Sequence, residues 1–144
     1  MMENDTVALL KECNSGIKMG ISSLDDVLDR VQGSDLREIL RTAKKEHEKL
    51  GDESHAILLK YHEDGKEPHP VAKMMASMKT GVKLTMQEGD TAVAELITDG
   101  CDMGIKSLHH YLNQYPEAED CVVKLTGKLI DSEEKLRRNL QSYL

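Results

Sequence analysis

A nine-residue pattern that recurs with six identical positions constrains the fold of this chain more than any other feature. The first copy begins at Gly16 and reads GIKMGISSL, and the second begins at Gly100, eighty-four residues later, and reads GCDMGIKSL. A second repeat follows, because the tripeptide Glu-Lys-Leu at 48–50 recurs at 134–136, with a spacing two residues longer. We interpret the chain as an internal duplication of one αα-hairpin, and two such hairpins predict a four-helix bundle.

The first copy has the hydrophobic pattern of two helices. Apolar residues recur at intervals of three and four from Val7 to Val31 and again over 36–63, which indicates helices with one buried face each. Gly33 lies between them and is predicted to end the first helix in a left-handed conformation. Ser34 or Asp35 is then expected to cap the second helix. A turn this short makes the two helices antiparallel neighbours.

The second copy repeats this arrangement. The third helix is predicted to begin at Asp90, which we expect to cap it, and to end before Pro116. Pro116 itself suits the first turn of the fourth helix. We therefore expect one domain over 1–144, with hairpin one at about 5–64, a crossover at 65–89 and hairpin two at about 90–144.

The crossover carries an apolar side of its own, which predicts a short helix within it. This Met-rich face consists of Met74, Met75, Met78 and Val82. A monomer has to fold such a face back on the bundle or pair it with a second copy, so a homodimer is one alternative.

Composition limits the classes of partner and compartment. The chain has no Phe and no Trp, so Leu, Ile, Val, Ala and eight Met must build the core, which suits packed helices. A net charge of −7 with both signs interspersed argues against nucleic acid and anionic membrane as partners. Without a membrane-spanning stretch, a signal peptide or an even number of cysteines, a cytoplasmic protein with free thiols is expected.

Two pairs of glycines lie inside the predicted first and third helices. Gly16 with Gly20, and Gly100 with Gly104, are each one helical turn apart, and each costs about 1 kcal/mol relative to Ala. We expect close packing to offset that cost, either between the first and third helices or around a bulky neighbouring side chain.

Two polar residues occupy equivalent positions in the second helix of each hairpin. His47 and Glu133 are 86 residues apart, which is the spacing of the second repeat, and both lie on the inward stripe of their helices. Counting back from the turns places His47 level with Gly20 and Glu133 level with Cys101. A buried histidine that faces a carboxylate satisfies both groups, so we predict a hydrogen-bonded pair at the centre of the bundle. A metal-binding or proton-transfer role for the two residues is the alternative.

The duplicated hairpin, the long crossover with its short helix and the third helix starting at Asp90 together resemble the ferritin-like superfamily, in particular its uncharacterised four-helix members. The resemblance covers nearly the whole chain and implies an all-α, ferritin-like bundle of two duplicated αα-hairpins. Metal-binding members carry Glu on helices one and three and Glu-x-x-His on helices two and four. Here those two motifs read Lys44-x-x-His47 and Ile130-x-x-Glu133. Oxidase, peroxidase or iron-storage activity is therefore not implied.

These observations predict a non-enzymatic cytoplasmic bundle that acts through contacts with a protein partner. No catalytic residue and no cofactor are expected. Two alternatives stay open: a divergent protein that binds iron or manganese through His47 and Glu133, and a small-molecule binder that uses the Met-rich crossover.

Overall fold

The computed structural model describes residues 2–61 and 89–144, and within these ranges the chain forms four α-helices and no strand. The elements are α1 (Met2–Leu28), α2 (Ser34–Lys60), α3 (Asp90–Gln114), α4 (Asp120–Leu140) and a final 3₁₀ turn (Gln141–Tyr143). The prediction of an all-α chain with four main helices is confirmed. None of these helices combines the length and the apolar character that crossing a membrane requires.

Hydrogen bonds at the two ends of the bundle show how the helices run. At one end, the Asp90 carboxylate at the start of α3 accepts hydrogen bonds from the backbone N–H groups of Gln32 and Gly33, each at 2.8 Å. At the other end, the Thr6 hydroxyl near the start of α1 accepts one from the backbone N–H of Glu119, at 2.9 Å. The Tyr61 hydroxyl just after α2 donates to the Glu119 carboxylate at 2.8 Å.

α1 is therefore antiparallel to α3, and α2 is antiparallel to α4. Short turns make α1 antiparallel to α2 and α3 antiparallel to α4, and each of these four pairs is in contact. As a consequence, α2 ends and α3 begins at opposite ends of the bundle. The predicted crossover at 65–89 and the Met-rich face lie, except for Gly89, outside the described residues.

Two clusters of buried aliphatic side chains fill the bundle, one on each side of its centre. The first lies toward the α1–α2 turn and includes Ala43 and Leu136, and the second includes Leu50 and Ile130. The clusters are thus separated along α2 between Ala43 and Leu50, and along α4 between Ile130 and Leu136. In this gap between the two clusters, each helix carries a polar side chain that points toward the axis of the bundle: His47 in α2 and Glu133 in α4.

The turn between α1 and α2 differs from the prediction. Gly33 has an extended conformation, with φ −75°, rather than a left-handed one, and it serves as the N-cap residue of α2. No side chain of Ser34 or Asp35 caps this helix. The Asp90 carboxylate instead binds the N–H groups of Gln32 and Gly33, just before α2, and it does not cap its own helix either. The capping prediction was wrong because Gly33 takes the N-cap position, which leaves Ser34 and Asp35 inside the first turn of α2.

The turn between α3 and α4 was also placed wrongly. Pro116 does not lie in the first turn of the fourth helix, since α4 begins only at Asp120, after an extended Glu119. The N–H groups around this turn bind α1 instead: that of Glu119 donates to Thr6, and that of Glu117 donates to the Asp5 carboxylate at 3.0 Å. Each inter-helix turn is therefore held by the first helix of the opposite hairpin.

Candidate functional site

The predicted contact between His47 and Glu133 is present at the centre of the bundle. His47 Nε2 lies 2.8 Å from Glu133 Oε1, and the two side chains are 1% and 13% exposed. His47 Nδ1 lies 2.9 Å from the carbonyl oxygen of Ala43, one turn earlier on α2. Both ring nitrogens are therefore engaged, and the contact joins the first hairpin to the second.

The proton positions follow from the partners of the ring. A carbonyl oxygen can only accept, so Nδ1 of His47 carries a hydrogen and donates it to Ala43. Burial acts to lower the pKa of His47, but the hydrogen bond to Glu133 and the charge of that carboxylate outweigh it, so the pKa is raised above its usual value. The arrangement favours an imidazolium that donates from both nitrogens, one of them to a carboxylate.

Cys101 lies beside this pair on the α3 side. Its thiol is 2% exposed, and burial together with the negative charge of Glu133 raises its pKa far above the ordinary range. The sulfur is thus held as a neutral S–H next to the Glu133 carboxylate.

Gly20 and Gly104 make room for the two polar side chains. A Cβ atom on Gly20 would lie 2.9 Å from His47 Cδ2 and 3.1 Å from His47 Nε2, which is too close for van der Waals contact. A Cβ atom on Gly104 would lie 3.7 Å from Glu133 Cδ and Oε2, an ordinary distance. The space beside each glycine holds the polar residue of the adjacent helix, so Gly104 does not pack on Gly20.

The packing prediction was wrong for Gly16 and Gly100. Both are exposed, and a Cβ atom on either would find no heavy atom within 4 Å. They repeat in the sequence with Gly20 and Gly104, but only the second glycine of each pair is near the core. Their neighbour Met103 is also 64% exposed.

Lys44 and Ile130, which stand where the expected metal-binding motif has glutamate, have other partners. Lys44 binds Asp25 of α1 at 2.5 Å, and Ile130 belongs to the apolar core. Within residues 2–61 and 89–144, no three His, Cys, Asp or Glu side chains are placed to hold a metal ion together. The polar side chains that meet at the centre are therefore one imidazole and one carboxylate, which bind each other.

A second polar layer lies deeper in the other half of the core. The Ser54 hydroxyl donates to Asn14 Oδ1 at 3.4 Å, and the Cys13 thiol lies 3.1 Å from the Thr126 hydroxyl, which itself donates to a backbone carbonyl. Burial raises the pKa of Cys13 to about 11, so it too is a thiol. In the sequence, Asn14, Ser54 and Thr126 stand out as polar residues within apolar stripes, but the sequence does not show which of them meet.

A groove of about 300 Å³ runs between α2 and α4 on the outside of the bundle. Its floor is apolar, with Ile39, Ala43 and Leu136, and the acidic residues of its rim are Asp35, Glu38 and Glu46. We refer to it as the α2–α4 groove. The sequence gives no signal for this groove, because it depends on how the outer faces of two helices from different hairpins lie together.

Glu46 is in fact part of the contact between the two helices. Its carboxylate accepts hydrogen bonds from the Ser132 hydroxyl at 2.9 Å and from Lys135 Nζ at 3.0 Å. Burial acts to raise the pKa of Glu46, but these two donors outweigh it and hold the pKa below its usual value. The one lysine of the groove is thus already paired, and Asp35 and Glu38 leave its rim acidic.

Comparisons of the chain with protein-family models, with curated proteins and with solved structures found no match.

Proposed function

We propose that this chain is a ferritin-like four-helix bundle, formed by two copies of one hairpin joined by a long crossover, which acts in the cytoplasm through protein contacts rather than catalysis. The observation that carries the proposal is the closed polar centre. Where ferritin-like proteins with metal assemble their ligands, His47 and Glu133 bind each other, and Nε2 of His47 faces Glu133 rather than open space.

Paired contacts support the duplication. Gly20 adjoins His47 in the first hairpin, and Gly104 adjoins Glu133 in the second, at sequence offsets of 84 between the glycines and 86 between the polar residues. These are the offsets of the two sequence repeats. Two copies of one ancestral hairpin would explain why the same contact, between a glycine on the first helix and a polar residue on the second, occurs in each hairpin.

The turns show the same relation. Gly33 donates its N–H to Asp90, and Glu119 donates its N–H to Thr6. Thr6 and Asp90 differ by the first offset, and Gly33 and Glu119 differ by the second. A pseudo-two-fold axis that exchanges the hairpins would relate the two hydrogen bonds, and such an axis is what an internal duplication produces.

The ends of α2 and α3 support the crossover. They lie at opposite ends of the bundle, so the chain between them has to travel its length, as it does in ferritin-like folds with one long connection. The Met-rich face lies in this stretch of sequence. Methionine side chains adapt to partners of different shape, which makes this face the proposed contact with a protein partner or a second copy.

The test measures metal content and mass on protein purified without an affinity tag. We expect iron and manganese well below one atom per chain. Iron or manganese at one atom per chain in the wild type, lost in Glu133→Gln, would favour the metal-binding alternative and overturn the proposal.

The contact role of the Met-rich face is tested with a matched pair of variants. Met75→Glu with Met78→Glu should change the solution mass or lower the melting temperature. The control, Ala76→Glu with Thr80→Glu, adds the same charge outside that face in a helical projection and should change neither. If both variants behave as the wild type does, this face makes no contact.

A further inference from the structure

The α2–α4 groove has the features of a docking surface for a basic, apolar segment. Its floor consists of half-buried and buried aliphatic side chains, and its rim carries Asp35 and Glu38, both exposed. The single lysine at the groove, Lys135, is bound to Glu46. An occupant that suits this surface would bring apolar side chains for the floor and positive charge for the rim.

One stretch of this same chain has that composition. Residues 71–86 contain the four members of the Met-rich face, three lysines at 73, 79 and 83, and no acidic residue. This is unusual in a chain whose net charge is −7. The groove and the stretch are therefore complementary in both charge and hydrophobicity.

The connection to α3 brings the end of this stretch close to the groove. Residue 86 is three residues before Gly89, which limits the distance between them to about 11 Å. Gly89 precedes Asp90, whose carboxylate binds the N–H of Gly33 at 2.8 Å. Gly33 is in turn two residues from Asp35, at the rim of the groove. The tether therefore keeps the end of this stretch within reach of one end of the groove.

The position of Tyr61, at the other end of the connection, sets the direction in which the chain between the two hairpins has to run. α2 has 27 residues, so Tyr61 lies about 40 Å from the start of that helix. The chain has to return over this distance between Tyr61 and Gly89. The groove runs in the same direction, between the helix that the chain has just left and α4.

We propose that the α2–α4 groove is the docking site of residues 71–86 of the same chain, with Met side chains on its apolar floor and lysines against Asp35 and Glu38. A tethered segment has a high effective concentration at a site within reach, so weak individual contacts suffice. Docking within the chain and contact with a partner would use the same Met side chains and exclude each other at any one time, so cross-links within one chain distinguish this proposal from the partner contact proposed above.

Zero-length carbodiimide cross-linking of the full chain tests the docking. An equal mixture of ¹⁵N-labelled and unlabelled protein is cross-linked, and the products are identified by mass spectrometry. We expect Lys79 or Lys83 to be coupled to Asp35 or Glu38, with both peptides carrying the same isotope. Mixed-isotope products would show that a second copy fills the groove, and absence of these cross-links would show that nothing from 71–86 lies there; either result overturns the proposal.

Limited digestion with a lysine-specific protease gives an independent readout. Glu38→Arg reverses a charge at the groove, and Glu48→Arg reverses one on the exposed side of the same helix, away from it. We expect roughly fivefold faster cleavage after residues 73, 79 and 83 in Glu38→Arg, and the wild-type rate in Glu48→Arg. Equal rates in both variants would contradict docking at this groove.

Discussion

At the scale of single residues, the centre of the bundle shows how a charged pair can be kept in a core of aliphatic side chains. An isolated imidazolium or carboxylate would be costly there, but His47 donates to Glu133 and to the carbonyl of Ala43. Each polar group found in the pair has a partner. Gly20 and Gly104 supply the space that the two side chains need.

The raised pKa of His47 makes the stability of the fold depend on pH. Because the folded-state pKa exceeds the unfolded value of about 6.5, protonated His47 contributes its full stabilisation below pH 6.5 and loses it as the pH rises through the folded-state value. We therefore expect the free energy of unfolding of the wild type, relative to that of a His47→Leu with Glu133→Leu variant, to fall between pH 6 and pH 9. Urea unfolding at several pH values measures it.

His55 provides the control for this pH dependence, since it lies on the exposed face of the same helix. His55→Leu should leave the pH trend of the wild type intact. A wild-type advantage that grows with pH would mean that His47 is held neutral in the folded state, contrary to the arrangement described above.

The repeated glycines give opposite predictions for the same substitution. Gly100→Ala should raise the free energy of unfolding by about 0.5–1 kcal/mol, because alanine favours the helix and nothing lies within 4 Å of the new methyl group. Gly20→Ala should lower it by about 1–3 kcal/mol, because the methyl group would displace a buried ring that two hydrogen bonds hold in place. Thermal and urea unfolding of the two variants compare them. Equal effects of the two substitutions would show that the ring of His47 does not occupy this space.

At the scale of helices and turns, the ends of the helices are satisfied across the bundle rather than locally. α2 begins at a glycine N-cap without a side-chain cap of its own, and the Asp90 carboxylate of α3 binds the two N–H groups there. A negative charge at this position also favours the positive end of the α2 dipole. The hairpins are thereby joined at the turn as well as at the centre.

Asp90→Ala should therefore destabilise the fold more than loss of an ordinary first-turn residue does. We expect a cost of about 2 kcal/mol, since two hydrogen bonds to a charged acceptor are lost. Thr91→Ala, at the exposed next position, should cost well under 1 kcal/mol. If the two variants unfold at the same urea concentration, Asp90 does not join the hairpins in solution.

At the scale of the whole molecule, the arrangement that could be predicted is the one encoded by periodicity and repeat spacing. The four helices, the aliphatic core and the meeting of His47 with Glu133 follow from residues whose places on a helix can be counted. The acceptor for the N–H of Gly33 could not be found in this way, because it depends on which helix of the other hairpin lies beside the turn. The exposure of Gly100 was missed because the repeat preserves it together with Gly104, although only one of them faces a side chain.

The central claim is that the two hairpins meet through a hydrogen-bonded pair, which a double-mutant cycle on His47 and Glu133 tests most directly. Either single leucine substitution should lower the free energy of unfolding by about 3 kcal/mol, because it leaves the other polar group buried without its partner. The double variant should be close to the wild type, because both charges are gone and two apolar side chains fill the space. Additive destabilisation by the two substitutions would contradict the claim, since it would show that the residues do not meet.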